Sequence, residues 1–330
     1  MKKIILATAV ASIMAGSMAQ VAQAETTMYG KARIFLELAT ETNATPSVKD
    51  KGVSSYSSRI GWKGSEDLGN GMSAVYQFEL GFNADGDNGT NKDSNGDTTG
   101  DTSPFDTRVG YAGIKGDFGQ VAIGQQWTPS YVLVRGKHDP MNTTAGGKVY
   151  AGNFPRATRV DDAISYIGAF GDIKVAIATV ASNGGSGSDV DADSLNDHTD
   201  AAISIPAGPV TIGVAMANSN PTSPATSSSP VAVNIGWADG AISLDVGFFM
   251  IDKDDVVGTA ADEGADMMSI VGKFKTGSGT IVAQLEDDGN ETQTNLAYNH
   301  NLSKKTSLMA ELSTGDSQQD EMNVGIHINF

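Results

Sequence analysis

Hydrophobic and polar residues alternate with a period of two along much of the chain. Between 72 and 83 the even positions are apolar, and the odd positions are polar except Val75 and Gly81. The same alternation recurs in 242–248 and 322–330. Successive side chains of a strand point to opposite faces, so this period predicts β-strands with one apolar and one polar face.

Two unlike classes of connection separate the predicted strands. Short, turn-like segments are 66–71, 116–119, 171–172, 206–209, 239–240 and 276–279. Long, acidic segments of low complexity are 84–106, 183–198, 219–229 and 252–266. Short turns at one rim and long loops at the other are typical of an up-and-down transmembrane barrel. We therefore predict an all-β, antiparallel barrel of sixteen strands, from near Thr27 to Phe330.

The first 24 residues have the features of an export signal. Met1-Lys2-Lys3 is followed by an apolar run from Ile4 to about Ala19, and 21–24 has the small-x-small spacing of a cleavage site. We expect cleavage after Ala24, so that 1–24 is a signal peptide and 25–330 is a single barrel domain.

Charge and hydropathy narrow the class of protein further. Without the two signal lysines the chain has 20 basic and 39 acidic residues, a formal charge of -19. Such acidity argues against a nucleic-acid partner. No stretch after Ala24 approaches 18 consecutive apolar residues. Residence in a membrane would then require a closed barrel, which pairs every backbone group within the sheet.

Motifs of enzymes are absent from the sequence. There is no Gly-x-Ser-x-Gly, no His-Glu-x-x-His and no phosphate-binding loop. We predict that the chain is not an enzyme. Two alternatives stay open: an outer-membrane hydrolase barrel, because catalytic triads assemble from distant residues, and a surface adhesin.

Several local motifs are similar to those of a known family. They are Met28-Tyr29-Gly30, the segments 58–71 and 108–119, and a final strand ending on Phe330. On these motifs the chain resembles the Gram-negative general porins. The resemblance implies a water-filled outer-membrane channel for ions and small hydrophilic solutes, a homotrimer, contacts with outer-membrane lipid and lipopolysaccharide, and recognition of Phe330 by the barrel-insertion machinery. A substrate-specific channel is the alternative closest to this reading.

The resemblance also implies a third outer loop folded into the pore. In this chain it would run from Thr128 to about Asp161, and loops of that length are usually functional. The loop has a surplus of positive charge in an acidic protein. Its charged residues are Arg135, Lys137, Lys148, Arg156 and Arg159 against Asp139 and Asp161.

Strand alternation predicts further basic residues on the pore wall. In the first strand it turns Lys31, Arg33 and Glu37 inward, together with Phe35, which breaks the pattern. In later strands it turns Arg59, Lys63 and Arg108 inward. The basic wall of the family matches Arg33, Arg59 and Arg108 in type and approximate place. A charged ring in a narrow passage selects solutes by sign. We therefore predict a weak anion preference; the alternative is that these cations pair with loop carboxylates and leave little selectivity.

One acidic loop has the spacing of calcium ligands. Carboxylates occupy positions 1, 3, 5, 9 and 12 of a twelve-residue stretch: Asp189, Asp191, Asp193, Asp197 and Asp200. The stretch lacks the glycine and the bidentate glutamate of a complete calcium loop. A solvated acidic surface is therefore the favoured interpretation. We predict no other cofactor.

Overall fold

The structure is a computed structural model. It describes residues 25–39, 51–85, 105–143, 158–180, 198–219, 229–250, 266–289, 291–315 and 320–330. Within these ranges no helix has the length and apolar character needed to cross a membrane.

Seventeen strand segments form a single sheet in the described part of the chain. Their bounds are β1 (Glu25–Ala39), β2 (Lys51–Ser55), β3 (Arg59–Gly69), β4 (Met72–Phe82), β5 (Phe105–Gly116), β6 (Gly119–Trp127), β7 (Arg159–Phe170), β8 (Ile173–Val180), β9 (His198–Ala207), β10 (Val210–Ser219), β11 (Val231–Asp239), β12 (Ile242–Met250), β13 (Met267–Thr276), β14 (Gly279–Asp287), β15 (Thr292–Asn301), β16 (Thr306–Gly315) and β17 (Glu321–Asn329).

The sheet closes into a barrel because its first and last strands pair. β1 and β17 run antiparallel, with Lys31 opposite Asn329 and Leu38 opposite Met322. From β3 to β17 each segment also pairs antiparallel with the next segment in sequence. Closure leaves no unpaired sheet edge, which is the condition for a strand architecture to cross lipid.

The segments β2 and β3 together form one barrel strand. β2 pairs with the second half of β1, from Ile34 to Leu38, and β3 pairs with the first half, from Glu25 to Lys31. Ser57 separates them with a φ of 53°, a left-handed conformation that interrupts the ladder. The barrel therefore has sixteen strands, and the predicted fold class and strand number are confirmed.

The two faces of the barrel have opposite character, as the alternation predicted. Large apolar side chains are exposed on the outer face, among them Trp62, Phe78, Leu296, Leu312, Val324 and Ile326. Polar side chains on the inner face are nearly inaccessible, among them Asn234, Gln284, Gln293, Asn295, Glu311 and Asn323. An apolar belt outside and a polar lining inside are the arrangement that suits a barrel in a bilayer.

Phe35 is the inward apolar residue that broke the predicted pattern in the first strand. It lies directly opposite Gly325 of β17, and its side chain is 1% exposed. A Cβ on Gly325 would stand 2.5 Å from the Phe35 ring. The missing side chain of the glycine therefore provides the space in which the phenylalanine lies flat against the inner wall.

One rim of the barrel has only tight turns. Six connections at this rim have two residues each, at 70–71, 117–118, 171–172, 208–209, 240–241 and 277–278, and the one at 302–305 has four. Most connections at the other rim are long, with two departures from the predicted alternation. The β14–β15 connection, 288–291, has four residues, and the β16–β17 connection, 316–320, has five.

Candidate functional site

The chain turns inward after β6. Residues Thr128–Thr143, which we call the inner segment, begin with helix α1 (Pro129–Leu133) and a 3-10 helix (Arg135–His138). The Thr128 hydroxyl accepts a hydrogen bond from the Tyr131 backbone N–H, and Pro129 starts the helix. A threonine cap followed by proline is a common helix start, since proline lacks only an N–H that would be unpaired there.

Asp200 of β9 anchors the first turn of the inner segment. One of its carboxylate oxygens accepts a hydrogen bond from the Ser130 backbone N–H at 2.6 Å, and the other accepts one from the Ser130 hydroxyl at 2.6 Å. The Asp200 and Ser130 side chains are both 0% exposed. A hydrogen bond to a charged group contributes about 1.5–3 kcal/mol, so this contact holds α1 firmly on the wall.

His138 anchors the middle of the inner segment. Its Nε2 lies 2.7 Å from Oδ1 of Asn234 on β11, and its ring packs edge-on against Phe249 at 5.3 Å between centroids. The His138 carbonyl accepts a hydrogen bond from Gln284 of β14 at 2.8 Å. Side chains from three different strands therefore fix this one residue.

Glu311 of β16 anchors the far end. Its carboxylate accepts hydrogen bonds from the backbone N–H groups of Asn142 and Thr143, at 2.8 and 3.0 Å. It also accepts bonds from the side chains of both residues, each at 2.7 Å. Nη1 of Arg33 on β1 donates to the Asn142 carbonyl at 3.0 Å. The inner segment thus extends inside the barrel from β6 to the wall formed by β16 and β1.

The charged residues of the inner segment have unlike surroundings. Arg135 is 1% exposed; burial lowers its pKa to about 10, against the attraction of Asp200 and Asp139. It therefore stays charged at neutral pH but is closed off from the lumen. Lys137 is one-third exposed, and its Nζ lies 3.7 Å from Oδ1 of Asp245. Burial raises the pKa of Asp139, against the opposing effect of a hydrogen bond from the Tyr131 hydroxyl.

The basic wall consists of Lys31, Arg33, Arg59 and Arg108. Arg59 and Arg108 both contact the same Glu79 oxygen, at 3.0 and 2.9 Å. The structure turns Arg108 inward through a bulge, in which Glu79 pairs with Val109 and the next residue, Leu80, pairs with Thr107. Two of the four basic residues, Arg59 and Arg108, thus share one directly bonded carboxylate.

Glu79 is held in place from a second direction. The Tyr29 hydroxyl donates to its other oxygen at 3.0 Å. The Tyr29 ring lies across Gly61, where a Cβ would come within 2.6 Å of it. The glycine of the Ile60-Gly61-Trp62 motif therefore makes room for a tyrosine that positions the central carboxylate.

Trp127 lies at the start of the inner segment. Its ring stacks on Tyr131 with centroids 4.8 Å apart, and the Arg159 guanidinium lies 5.1 Å from its centroid. Trp62 and Trp237 lie on the outer face and are more than one-third exposed. Trp127 differs from these two tryptophans, because its ring contacts Tyr131 and Arg159.

The remaining predicted residues are placed as follows. Lys63 faces inward over the Tyr29 ring, and Asp161 is exposed in an irregular stretch of β7. Lys148 and Arg156 lie outside the described residues. No group of three or more histidine or acidic side chains suited to a metal ion occurs in the described ranges.

Asp200 is the one predicted calcium ligand that the structure describes; Asp189, Asp191, Asp193 and Asp197 lie outside the described residues. It lies in β9 and not in a loop, and both of its carboxylate oxygens bind Ser130. Its assignment to a calcium loop is therefore wrong, because the strand begins before it and turns it inward.

A closed antiparallel barrel with an apolar exterior, a polar interior and a chain segment anchored inside it defines a transmembrane β-barrel of the bacterial outer membrane. The chain matches the family model described as Gram-negative porin over residues 7–320. It therefore belongs to the Gram-negative porin family and is an outer-membrane protein. Because this is a family of porins, the prediction that the chain is not an enzyme is confirmed.

Relatives agree with this assignment. Major outer membrane protein P.IB of Neisseria meningitidis serogroup B is 31% identical over 130 residues, 38% of this chain and 34% of that protein. The match thus spans about a third of the length of this relative.

Solved structures share the fold over nearly the whole chain. An anion-selective porin from Comamonas acidovorans has a TM-score of 0.72 at 17% identity, covering 93% of this chain and 100% of that one. OmpT of Vibrio cholerae, in its trimer form, has a TM-score of 0.64 at 14% identity, covering 93% and 99%.

Proposed function

We propose that the chain forms a water-filled diffusion channel for ions and small hydrophilic solutes, and that its narrowest part weakly favours anions. The basic wall and the inner segment border this constriction. The observation that carries the proposal is the sharing of Glu79 by Arg59 and Arg108, while Arg33 adds further positive charge beside them.

The distribution of carboxylates also supports a preference for anions. Asp200 and Glu311 are 0% exposed, and their oxygens bind the inner segment. Hydrogen-bond donors occupy these oxygens, so they do not contact a passing ion directly. Arg59 is 20% exposed at its side chain, so it is open to solutes. Among Arg59, Glu79 and Arg108, the side chain most accessible to solutes is therefore a cation.

The cation-pairing alternative has support at particular residues. Arg135 is buried near two carboxylates, and Lys137 lies near Asp245. These two residues of the inner segment therefore contribute less to selectivity than we expected from the sequence. The proposed preference depends mainly on the strands β1, β3 and β5.

A homotrimer is the proposed assembly. The related fold of OmpT from Vibrio cholerae occurs in a trimer form, and closed rings of three are compatible with barrel walls packed side by side. The native mass of the detergent-folded protein tests this directly. A mass equal to three chains supports it, and a single-chain mass contradicts it.

Planar-bilayer recording of the purified protein tests the channel. We expect stepwise, ohmic conductance that rises in proportion to salt concentration. Conductance that saturates with one solute would instead support a substrate-specific channel, and folded barrels that conduct nothing would contradict the proposal.

The variant Arg33→Gln tests whether the channel favours anions. It should reduce the preference for chloride, whereas Lys174→Gln, outside the basic wall, should leave that preference unchanged.

A further inference from the structure

His138 is built into the wall more tightly than its neighbours on the inner segment. It is 0% exposed, and its ring occupies the space beside Gly247 of β12. A Cβ on Gly247 would stand 2.5 Å from His138 Nε2. The glycine and the edge-on contact with Phe249 therefore form a recess of the shape of an imidazole.

The hydrogen bonds of this recess fix which histidine nitrogen has the proton. Nδ2 of Asn234 donates to Oδ1 of Asp245 at 3.2 Å, which turns the amide oxygen of Asn234 toward His138. An oxygen can only accept, so Nε2 of His138 donates the bond of 2.7 Å. The neutral ring then has its lone pair on Nδ1, which has no hydrogen-bond partner among the described residues.

A second proton on this ring would face a buried site without an acceptor. Charged groups from the surrounding elements are Lys137 on the 3-10 helix, Asp245 on β12 and Lys273 on β13. β11 presents Asn234 and β14 presents Gln284, both uncharged. Two cations and one carboxylate therefore surround the ring, a balance that does not favour a third cation.

We propose that His138 is the positioning residue that holds the inner segment on the wall of β11–β14, and that its protonation releases the middle of the segment into the lumen. The two outer anchors, at Asp200 and Glu311, do not involve His138, so the ends stay attached while the middle loosens. Acid therefore converts the channel to states of lower conductance. This inference rests on the proposed function, since it concerns the same channel.

The pH range in which the segment is released follows from the direction in which the pKa of His138 is shifted. Burial lowers the pKa of His138 below its ordinary value. A histidine with a lowered pKa in the docked state stabilises docking at higher pH, and this stabilisation is lost as the pH falls below about 6.5, the value of the released ring. The docking equilibrium should weaken by up to about tenfold per pH unit below that value.

His138→Gln is the discriminating variant, because its amide can donate to Asn234 from nearly the same place but cannot gain a proton. We expect wild-type channels to enter low-conductance states more often from pH 7 to pH 5, and His138→Gln channels to show no such change. His138→Ala should show low-conductance states already at pH 7. His300→Gln, at the turn rim, serves as the control and should behave as the wild type. An unchanged acid response in His138→Gln would overturn the proposal.

Amide hydrogen exchange in the folded barrel provides a second readout that needs no conduction. After correction for intrinsic rates, exchange of 134–138 should accelerate in acid in the wild type but not in His138→Gln. Equal acceleration in both proteins would overturn the proposed role of His138. Absence of conductance in the wild type would contradict the channel itself, and exchange would still decide the role of His138.

Discussion

Both carboxylate oxygens of Asp200 accept hydrogen bonds from Ser130, one from the backbone N–H and one from the hydroxyl, each at 2.6 Å. The two residues lie 70 positions apart in the chain, and their contact joins the inner segment to the barrel wall. With His138 and Glu311, Asp200 defines three attachment points that position the segment next to the basic wall.

Replacing Asp200 by alanine should loosen helix α1. The Ser130 N–H and hydroxyl would lose their acceptors in a buried site, at a cost of about 1.5–3 kcal/mol. That cost corresponds to roughly 10- to 100-fold faster opening. Amide exchange of Ser130 in the folded barrel measures it. Asp172→Ala, in an exposed turn, is the matched control, and equal exchange in both variants would show that Asp200 is not an anchor.

Glu311→Gln should weaken the far end of the inner segment. An amide offers one acceptor oxygen where the carboxylate offers two, so at least one donor of Asn142 or Thr143 loses its partner. We expect noisier single-channel currents with brief substates and unchanged barrel folding. Glu321→Gln removes another inward carboxylate, on β17, and should leave the current noise at the wild-type level. Quiet currents from Glu311→Gln would contradict this role.

Gly325→Ala should destabilise the seam where the barrel closes. The new methyl group would stand 2.5 Å from the Phe35 ring and 2.6 Å from the Ile34 carbonyl oxygen. Overpacking of this kind costs about 1–3 kcal/mol. Reversible unfolding in urea should show a lower midpoint for this variant. Gly272→Ala, where a Cβ would meet nothing within 4 Å, should unfold like the wild type; equal midpoints for the two variants would contradict the account of Phe35.

Ion selectivity should depend on pH partly through Asp139. Burial raises the pKa of this carboxyl above its ordinary value, so it gains its proton at higher pH than an exposed aspartate does. Loss of its negative charge should move the reversal potential toward that of chloride as the pH falls toward this raised pKa. Asp139→Asn should show the shift already at neutral pH and a flatter pH profile. A profile identical to the wild type would exclude Asp139 from the ion path.

The fold could be predicted from the sequence because period-two alternation is a local signal that each strand repeats. The interruption of the second strand could not, since it depends on a left-handed Ser57 that no glycine marks. The contacts of Trp127 could not be predicted either, because nothing local distinguishes a tryptophan that contacts the inner segment from one at the lipid boundary.

The site could be predicted only in part. Alternation placed Arg33 and Arg59 on the inner face because their neighbours in the strand are apolar. The same alternation applies to Glu79 and Glu311, each an acid between outward apolar residues, and could have identified them as lumen residues. Their partners lie on distant elements, as Asn142 does for Glu311. Pairings of this kind depend on barrel closure and on the course of the inner segment, neither of which a local pattern contains.

The most direct test of the central claim is the reversal potential of the wild-type channel in a planar bilayer under a potassium chloride gradient at neutral pH. The basic wall predicts a potential displaced toward that of chloride, and Glu79→Gln should displace it further because it removes the carboxylate that Arg59 and Arg108 share. A reversal potential displaced toward the equilibrium potential of potassium would contradict an anion-favouring constriction.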